Sequence, residues 1–268
     1  MKNYQDPSAE DEFLLKRVKH AADASPNRGT LLDFLSEHEQ NLAREALAGT
    51  GAAYLFYGGY PSAERQRLYV LPPYLSLQDF ELYEKNDRDE AFELCVLLIE
   101  GSSYRTLTHR DYLGSVLSLG IKRGRIGDIL PCDDFSAYLI ADKSAAALII
   151  EENDGGSFRV ANDCVKISMT TLSPDFTPMI KTEKITDTVP SGRLDAVVSA
   201  LIRKPREHAK DLIEKGLVSV SGAPILRPDY HVGEDIRVAV RGFGKFRILR
   251  LSDVTRKGRL WLEAEKFI

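Results

Sequence analysis

The sequence predicts a mixed α+β protein built from three successive zones. The hydrophobic period changes between helical and strand spacing along the chain, stretches with Pro and Gly separate the zones, and the charge changes sign before the last zone. The 268 residues are 43% hydrophobic and 28% charged, which suits a globular protein with a buried core. At roughly 100–200 residues per domain, this length allows two domains or three small ones.

The first zone, residues 1–78, is predicted to be mostly helical. Apolar residues between Phe13 and Ala21 recur at helical spacing, which predicts an amphipathic helix. Thr30 and Asp33 resemble a capping box, in which a hydroxyl and a carboxylate satisfy the first backbone amides of a helix. We therefore expect a second helix from this point to about Leu47.

The second zone, residues 79–178, alternates between the two periods. In chain order, the sequence predicts a strand at 91–99, a helix at 108–119, strands at 126–130 and 137–141, a helix at 145–150 that Asp142 caps, and a strand at 164–172. The order β-α-β-β-α-β is that of the ferredoxin-like unit, which many RNA-recognition modules share. Because many unrelated proteins also share it, the order alone predicts no function.

The cysteines and histidines predict no metal site and no thiol chemistry. Cys95, Cys132 and Cys164 are odd in number and lie far apart, so they form neither a disulfide framework nor a zinc motif. Cys95 and Cys164 lie in apolar runs and are expected to be buried, whereas Cys132 lies beside two aspartates and is expected to be exposed. The histidines show no metal-ligand spacing, and no glycine pattern of a dinucleotide or phosphate loop occurs. We expect no cofactor.

The sequence also lacks the features of membrane insertion or secretion. No stretch approaches the roughly 18 consecutive apolar residues that a membrane span needs. The first residues lack the apolar run of a secretory signal. We therefore expect a cytoplasmic protein without a membrane partner.

The charge is unevenly distributed along the chain. Residues 181–268 hold 18 Lys or Arg against 12 Asp or Glu, whereas residues 1–180 hold 18 against 28, so the whole chain has a net charge of −4. A basic C-terminal third on an acidic body is expected when one module binds a polyphosphate. A solvated surface with a chance imbalance has the same composition, so charge alone does not separate the two interpretations.

The last zone, residues 190–268, has the periods of a compact helix pair followed by strands. Apolar residues from Leu194 to Leu201 and from Ala209 to Ile213 each define one helical face, Gly216 ends the second helix, and strands are expected at 218–220 and 236–240. If these faces turn inward, the helix pair leaves a set of cations in solvent: Arg193, Arg203, Lys204, Arg206, Lys210 and Lys215. Such an array suits phosphates, and arginine also offers a planar face for RNA bases.

Three stretches of this zone keep a fixed spacing. They are Arg193-Leu194-Asp195, then Arg206-x-x-Ala209-x-x-Leu212-Ile213-x-x-Gly216-x-Val218-x-Val220-x-Gly222, and then Pro228 with Gly233-x-Asp235. The pattern resembles the S4 (αL-type) RNA-binding domain of ribosomal protein S4, some tRNA synthetases and some RNA-modifying enzymes. The resemblance implies that Arg193 and Arg206 contact RNA and that Ser221 lies at the RNA face. In two departures, Pro205 replaces the usual serine and Ser221 replaces the usual asparagine.

Three further stretches resemble a second family. They are Gly58-Gly59-Tyr60-Pro61-x-Ala63-Glu64-Arg65, Leu107-Thr108-His109-Arg110-Asp111-Tyr112-Leu113-Gly114, and Gly120-Ile121-Lys122-Arg123-x-x-Ile126-Gly127-Asp128-Ile129-Leu130. The chain is similar to the YlmH family over nearly its whole length. The resemblance implies a bacterial protein without established catalytic activity, which binds the large ribosomal subunit and peptidyl-tRNA in ribosome-associated quality control and supports C-terminal tailing of stalled chains. The implied partners are rRNA, tRNA and the large subunit, not DNA.

Lys122, Arg123 and Arg125 have two interpretations that the sequence leaves open. They follow the predicted helix at 108–119, where cations complement the helix dipole in a solvated end. The same three cations are candidates for a second phosphate contact.

Several tempting motifs are better explained as structure. Thr108 and Asp111 predict a helix N-cap rather than part of a kinase catalytic loop, whose other motifs are missing. Asp195 lies in a stretch similar to the catalytic stretch of pseudouridine synthases, but we expect it to cap the helix or brace Arg193. Around Phe243 the sequence predicts a turn with an exposed ring that could stack on a base, and Trp261 is expected in the core.

Together these observations predict a non-enzymatic protein whose C-terminal module binds structured rRNA or tRNA. The first alternative is an RNA-modifying enzyme, pseudouridine synthase-like or methyltransferase-like, that uses the same module to dock its substrate. The second is an interaction protein whose module binds protein instead of RNA.

Overall fold

A computed structural model describes residues 8–23, 29–82, 85–178, 182–254 and 258–267. The chain divides into two compact units. The front unit holds residues 14–179, and the C-terminal unit holds residues 180–268 together with residues 1–13. The predicted α+β class is confirmed. In the described part of the chain, every helix is too short or too polar to cross a membrane.

The front unit carries two main sheets and their flanking helices. In chain order its elements are α1 (Ala9–Asp23, which enters this unit at Leu14), β1 (Thr30–Leu35), α2 (Glu37–Leu47), β2 (Tyr54–Tyr57), β3 (Gln66–Val70), α3 (Leu77–Glu81), α4 (Lys85–Ala91), β4 (Leu94–Glu100), α5 (His109–Ser118), β5 (Ile126–Pro131), β6 (Ser136–Asp142), α6 (Lys143–Asp154), β7 (Arg159–Val160), β8 (Asp163–Cys164) and β9 (Lys166–Thr170). A short 3₁₀ turn, Arg123–Arg125, precedes β5.

The first zone is less helical than predicted, because its second helix starts at Glu37 rather than at Thr30 and the zone also holds β1, β2 and β3. The segment that begins at Thr30 is β1, an edge strand of an antiparallel sheet in the order β1-β3-β2. The capping box belongs to Ser36 and Glu39, which start α2. Leu32, Phe34 and Leu35 are buried, and this burial in the sheet outweighs the capping pattern that Thr30 and Asp33 form in the same segment.

The central sheet follows the predicted element order. Its strands lie in the order β5-β6-β4-β9, and every pairing is antiparallel. The elements β4, α5, β5, β6, α6 and β9 succeed one another as the sequence predicts, with the small β7–β8 hairpin inserted before β9. Thr108 and Asp111 form the predicted capping box of α5, and the Asp142 carboxylate caps α6 by accepting from the Ala145 amide.

The C-terminal unit places two helices against one six-stranded antiparallel sheet. Its elements are β10 (Thr182–Val189), α7 (Leu194–Ile202), α8 (Arg206–Glu214), β11 (Val218–Val220), β12 (Ala223–Pro224), β13 (Ile236–Val240), β14 (Gly244–Val254) and β15 (Leu260–Phe267). The strand order is β10-β15-β14-β13-β11-β12. Apolar residues of α7 and α8 form one hydrophobic cluster with residues of the sheet, such as Phe246 and Leu262. The predicted helix pair and strands are confirmed.

Five side chains lie in environments that differ from the predictions. Cys164 is exposed rather than buried, because it ends the two-residue strand β8, where its Sγ accepts a hydrogen bond from Arg159. Cys95, expected to be buried, and Cys132, expected to be exposed, are both half-buried. Trp261 is 40% exposed, because Leu262 and Ala264 take the inward positions of β15. The ring of Phe243 is half-buried and packs edge-on against His208.

Candidate nucleic-acid interface

The start of α7 is held by backbone hydrogen bonds from a distant loop. The amide of Leu194 donates to the carbonyl of Tyr230 at 2.7 Å, and the amide of Asp195 donates to the carbonyl of Pro228 at 3.0 Å. The first amides of a helix have no acceptor within the helix, so these carbonyls satisfy two of them. The arrangement fixes where Arg193, the residue before the first turn of α7, enters the helix.

Asp195 joins two of the predicted RNA-binding arginines. Arg193 reaches the carboxylate through Nε at 3.2 Å and Nη2 at 3.0 Å, and Arg206 through Nη2 at 2.9 Å from both oxygens. The Asp195 side chain is 5% exposed, whereas those of Arg193 and Arg206 are 38% and 47% exposed. The expectation that Asp195 braces Arg193 is confirmed. One carboxylate orients two guanidinium groups, and both remain accessible to solvent.

The two arginines also control the ionisation of Asp195. Burial on its own would raise the pKa of this carboxyl, because burial penalises the charged form. Hydrogen bonds and charge from Arg193 and Arg206 outweigh burial, so the pKa is lowered. The carboxylate is therefore ionised at neutral pH, and the three groups together carry one net positive charge.

A cleft of about 340 Å³ lies beside this cluster. Four cations line it, namely Arg203, Lys204, Arg206 and Arg259, whereas Asp187 is the one acidic residue among its described lining. Arg203 ends α7 in the left-handed conformation, with φ at 53°, and Lys204 follows it in the connection to α8. The structure thus brings three of the sequence-predicted cations to one opening.

The other predicted residues of this module lie further away. Lys210 is exposed on α8, four residues after Arg206, and forms an i,i+4 ion pair with Glu214. Lys215 follows the end of α8, roughly 14 Å along the helix axis from Arg206. Ser221 lies in the turn between β11 and β12, with φ at 47°, and its amide donates to the Arg237 carbonyl.

Sequence reasoning missed Arg259. It precedes β15 and donates to Thr188, 71 residues earlier, through Nε to the hydroxyl at 3.0 Å and through Nη2 to the carbonyl. The pairing of β10 with β15 brings it to the cleft. No local pattern signals that pairing, because strand partners this distant in sequence are set by the packing of the whole unit.

The structure gives Arg123 and Arg125 structural contacts in the front unit. Arg123 donates through Nη1 to the carbonyl of Ile126 at 2.6 Å, and burial lowers its pKa to about 10. Arg125 donates through Nε to the Asp142 carboxylate, also at 2.6 Å. Lys122 and Arg125 are both exposed, but Arg125 is paired with Asp142. Of the three, Lys122 therefore keeps its charge most available to a phosphate.

Asp128 of β5 holds the stretch from Gly58 to Arg65 through hydrogen bonds. Its buried carboxylate accepts from the Tyr60 hydroxyl at 2.8 Å and from the amides of Glu64 and Arg65 at 2.7 and 3.1 Å. A Cβ added at Gly127 would lie 2.7 Å from the Phe34 ring, so no larger residue fits beside Asp128 without a shift. The cluster therefore ties the stretch from Gly58 to Arg65 to β5.

Comparisons with known proteins find one matching domain within each of the two units. Residues 87–160 match the family model described as "Putative RNA-binding domain in YlmH", and residues 192–238 match the S4 domain. The resemblance to the YlmH family is confirmed. The YlmH RNA-binding domain thus begins within α4 and ends with β7, and the S4 domain runs from the residue before Arg193 into β13.

Two known proteins are similar to this chain over much of its length. The ribosome-associated protein quality control protein P2 of Bacillus subtilis (strain 168) is 29% identical over 234 residues, which are 87% of this chain and 85% of that protein. A solved structure of the cell division protein ylmH from Streptococcus pneumoniae matches with a TM-score of 0.46 and 22% identity, over 62% of this chain and 94% of that chain.

The predicted RNA-binding residues are distributed over both matched domains. Arg193, Arg206 and the cations of the α7–α8 connection belong to the S4 domain, and Lys122 belongs to the YlmH RNA-binding domain. Arg259 lies outside both matches, although it lines the same cleft as Arg206. The cationic site of the C-terminal unit is thus larger than the S4 domain alone.

Proposed function

We propose that this chain is a non-catalytic, cytoplasmic RNA-binding protein whose S4 domain binds rRNA and tRNA on the large ribosomal subunit. The observation that carries the proposal is the single buried carboxylate of Asp195, which orients Arg193 and Arg206 beside a cleft lined by further cations. Ordered guanidinium groups match phosphates in pairs of hydrogen bonds and release condensed counterions on binding. Specificity then comes from the shape of the folded RNA.

The name of the Bacillus subtilis relative supports a role in ribosome-associated quality control. That protein shares 29% of aligned residues with this chain over most of both lengths. We propose the same setting here, in which the protein binds the large subunit together with tRNA and supports C-terminal tailing of stalled nascent chains.

The geometry of Asp195 disfavours the RNA-modifying alternative. A pseudouridine synthase needs an aspartate that can reach the base, whereas both carboxylate oxygens here accept from arginines and the side chain is 5% exposed. A search for new modified nucleosides after incubation of the protein with rRNA tests this point, and their appearance would revive the enzymatic alternative.

The central test is co-sedimentation with purified large ribosomal subunits, with and without bound tRNA, across a salt series from about 50 to 200 mM. Replacement of both Arg193 and Arg206 by Ala should weaken binding and lower the slope of log affinity against log salt by about 1–2, since each phosphate contact contributes roughly 0.7–0.9. Trp261 fluorescence checks that the C-terminal unit is folded.

The matched control replaces Lys16 and Lys19, two exposed cations of α1, by Ala. It removes the same number of charges and should leave the slope unchanged. An unaltered affinity and slope for the Arg193 and Arg206 variant would refute the proposal. Binding to protein but not to RNA in a low-salt filter assay would favour the interaction-protein alternative.

A further inference from the structure

The sheet of the C-terminal unit has one covered face and one open face. Val238, Phe246 and Ile248 are buried in the hydrophobic cluster that also contains the apolar residues of α7 and α8. Successive residues of a strand point to opposite faces, so Arg237 and Arg247 lie on the face away from the helices. The sequence analysis identified a turn around Phe243, which joins β13 to β14. The S4 match ends at residue 238 and therefore assigns no role to β14.

Every charged residue that β13 and β14 place on the open face, as far as Ser252, is a cation. These residues are Arg237, Lys245, Arg247 and Arg250, and we call them the hairpin face. The S4 match ends at residue 238 and so includes Arg237 alone among them. The hairpin face is therefore not the surface that the S4 domain accounts for.

The register places two of these cations directly opposite each other. Arg237 pairs with Arg247 across the β13–β14 ladder. Like charges in this position destabilise a sheet. Asp235 binds Arg247 at the edge, and Glu263 and Glu265 lie on the neighbouring strand β15, where Lys184 of β10 also binds Glu263. The nearby acids thus offset part of the charge, and β13 and β14 keep an excess of cations.

We propose that the hairpin face binds the sugar-phosphate backbone of double-stranded RNA, as a second site in addition to the α7–α8 site. This inference rests on the proposed function, because it takes RNA to be the partner of the C-terminal unit. Cations two residues apart on one strand lie roughly 7 Å apart, and those on adjacent strands lie closer, so they form a rigid array of positive charge. A ligand phosphate placed among them relieves the repulsion between Arg237 and Arg247.

The hairpin face itself offers charge rather than stacking platforms. Recognition of unpaired bases uses exposed aromatic rings. Phe243, at the tip of the hairpin, packs its ring against His208 of α8, and the exposed ring of Trp261 lies on β15 opposite Ser252, beyond Arg250 at the end of the array. Because the helices cover the other face of the sheet, the unit has cations on both outer surfaces and binds two RNA segments at once.

The test replaces Lys245 and Arg250, both exposed residues of β14, by Gln. The probe is a fluorescein-labelled RNA stem-loop, and a polyglutamate peptide serves as a second polyanion. Loss of two contacts should weaken binding of the stem-loop about tenfold at moderate salt and lower the salt slope by about 1–2. The variant Lys16→Gln, Lys19→Gln removes two exposed charges elsewhere and should match the parent protein.

A second variant is expected to bind RNA more tightly, which a variant that fails to fold could not do. Glu265 lies opposite Arg247 on the open face, so E265Q removes a competing negative charge and should tighten binding of the stem-loop. Unchanged affinity and slope in K245Q/R250Q, an equal loss in the Lys16 and Lys19 control, or a loss confined to polyglutamate would each overturn the proposal.

The design separates this inference from the proposed function. If the Arg193 and Arg206 variant loses binding while K245Q/R250Q does not, the hairpin face alone is refuted. If neither variant loses binding, RNA recognition by the whole C-terminal unit is refuted. If both lose binding, their combination should lower the salt slope by the sum of the two separate decreases, because the sites lie on opposite surfaces.

Discussion

Asp195 shows how one buried residue organises a binding surface. Its carboxylate is desolvated, and this would be unfavourable without partners, yet hydrogen bonds from Arg193 and Arg206 compensate for the lost water. Each arginine gives part of its donors to Asp195 and keeps the rest toward solvent. Arg193 and Arg206 could be predicted from spacing, but their shared anchor required the folded geometry.

The lowered pKa of Asp195 predicts how stability depends on pH. Because the folded pKa lies below the unfolded value of about 3.9, the contribution is present above that pH and is lost as the pH falls through the folded pKa. We expect the ionised Asp195 to contribute about 1–2 kcal/mol to the free energy of unfolding. The value is kept small because both arginines are partly exposed, so solvent weakens the ion pairs. Urea unfolding followed by Trp261 fluorescence between pH 6 and 3 measures it.

The Asp195→Asn variant provides the reference for this measurement. It should be less stable than the parent protein at pH 6, and the difference should shrink toward pH 3. Asp229 and Glu234 also have lowered pKa values, so both proteins lose stability in acid and only their difference reports Asp195. A difference that stays constant across this range would contradict the assignment.

At the scale of elements, the spacing of apolar residues predicted the helices that depend on neighbouring residues. It failed for the strand β1, whose structure depends on packing against a distant strand. Helices α5, α7 and α8 follow from apolar spacing and caps within a few residues. Two capping patterns, Thr30 with Asp33 and Ser36 with Glu39, lie six residues apart, and only the second starts a helix. The first segment pairs with β3, whose residues lie more than thirty positions later, so no local rule could exclude it as a helix start.

Asp128 connects elements that the sequence shows only as separate motifs. It accepts from Tyr60, Glu64 and Arg65, so Asp128→Asn must set an amide against one of these donors. We expect the front unit to lose about 1–3 kcal/mol of unfolding free energy. Urea unfolding followed by circular dichroism measures it, and Asp154→Asn, at the exposed end of α6, should have no effect. Equal stability of the two variants would show that the network is not needed.

At the scale of the whole molecule, the two units have separate hydrophobic cores. The core of the C-terminal unit lies between Ile185 and Ala264, and the other clusters lie within residues 14–172. The S4 match lies where the residue spacing predicts that domain. The pairing of β10 with β15 could not be predicted from spacing, and for that reason neither could the positions of Arg259 and Trp261.

Separate cores predict two unfolding transitions. Trp261 is the single tryptophan of the chain and lies in the C-terminal unit, so its fluorescence follows that unit, whereas far-ultraviolet circular dichroism follows both. In urea, Asp195→Asn should therefore move the fluorescence transition to lower concentration and leave the remaining dichroism transition in place. Asp128→Asn should do the reverse. If both probes follow one shared transition that either variant moves, the two cores unfold as one cooperative body and the prediction of separate transitions is wrong.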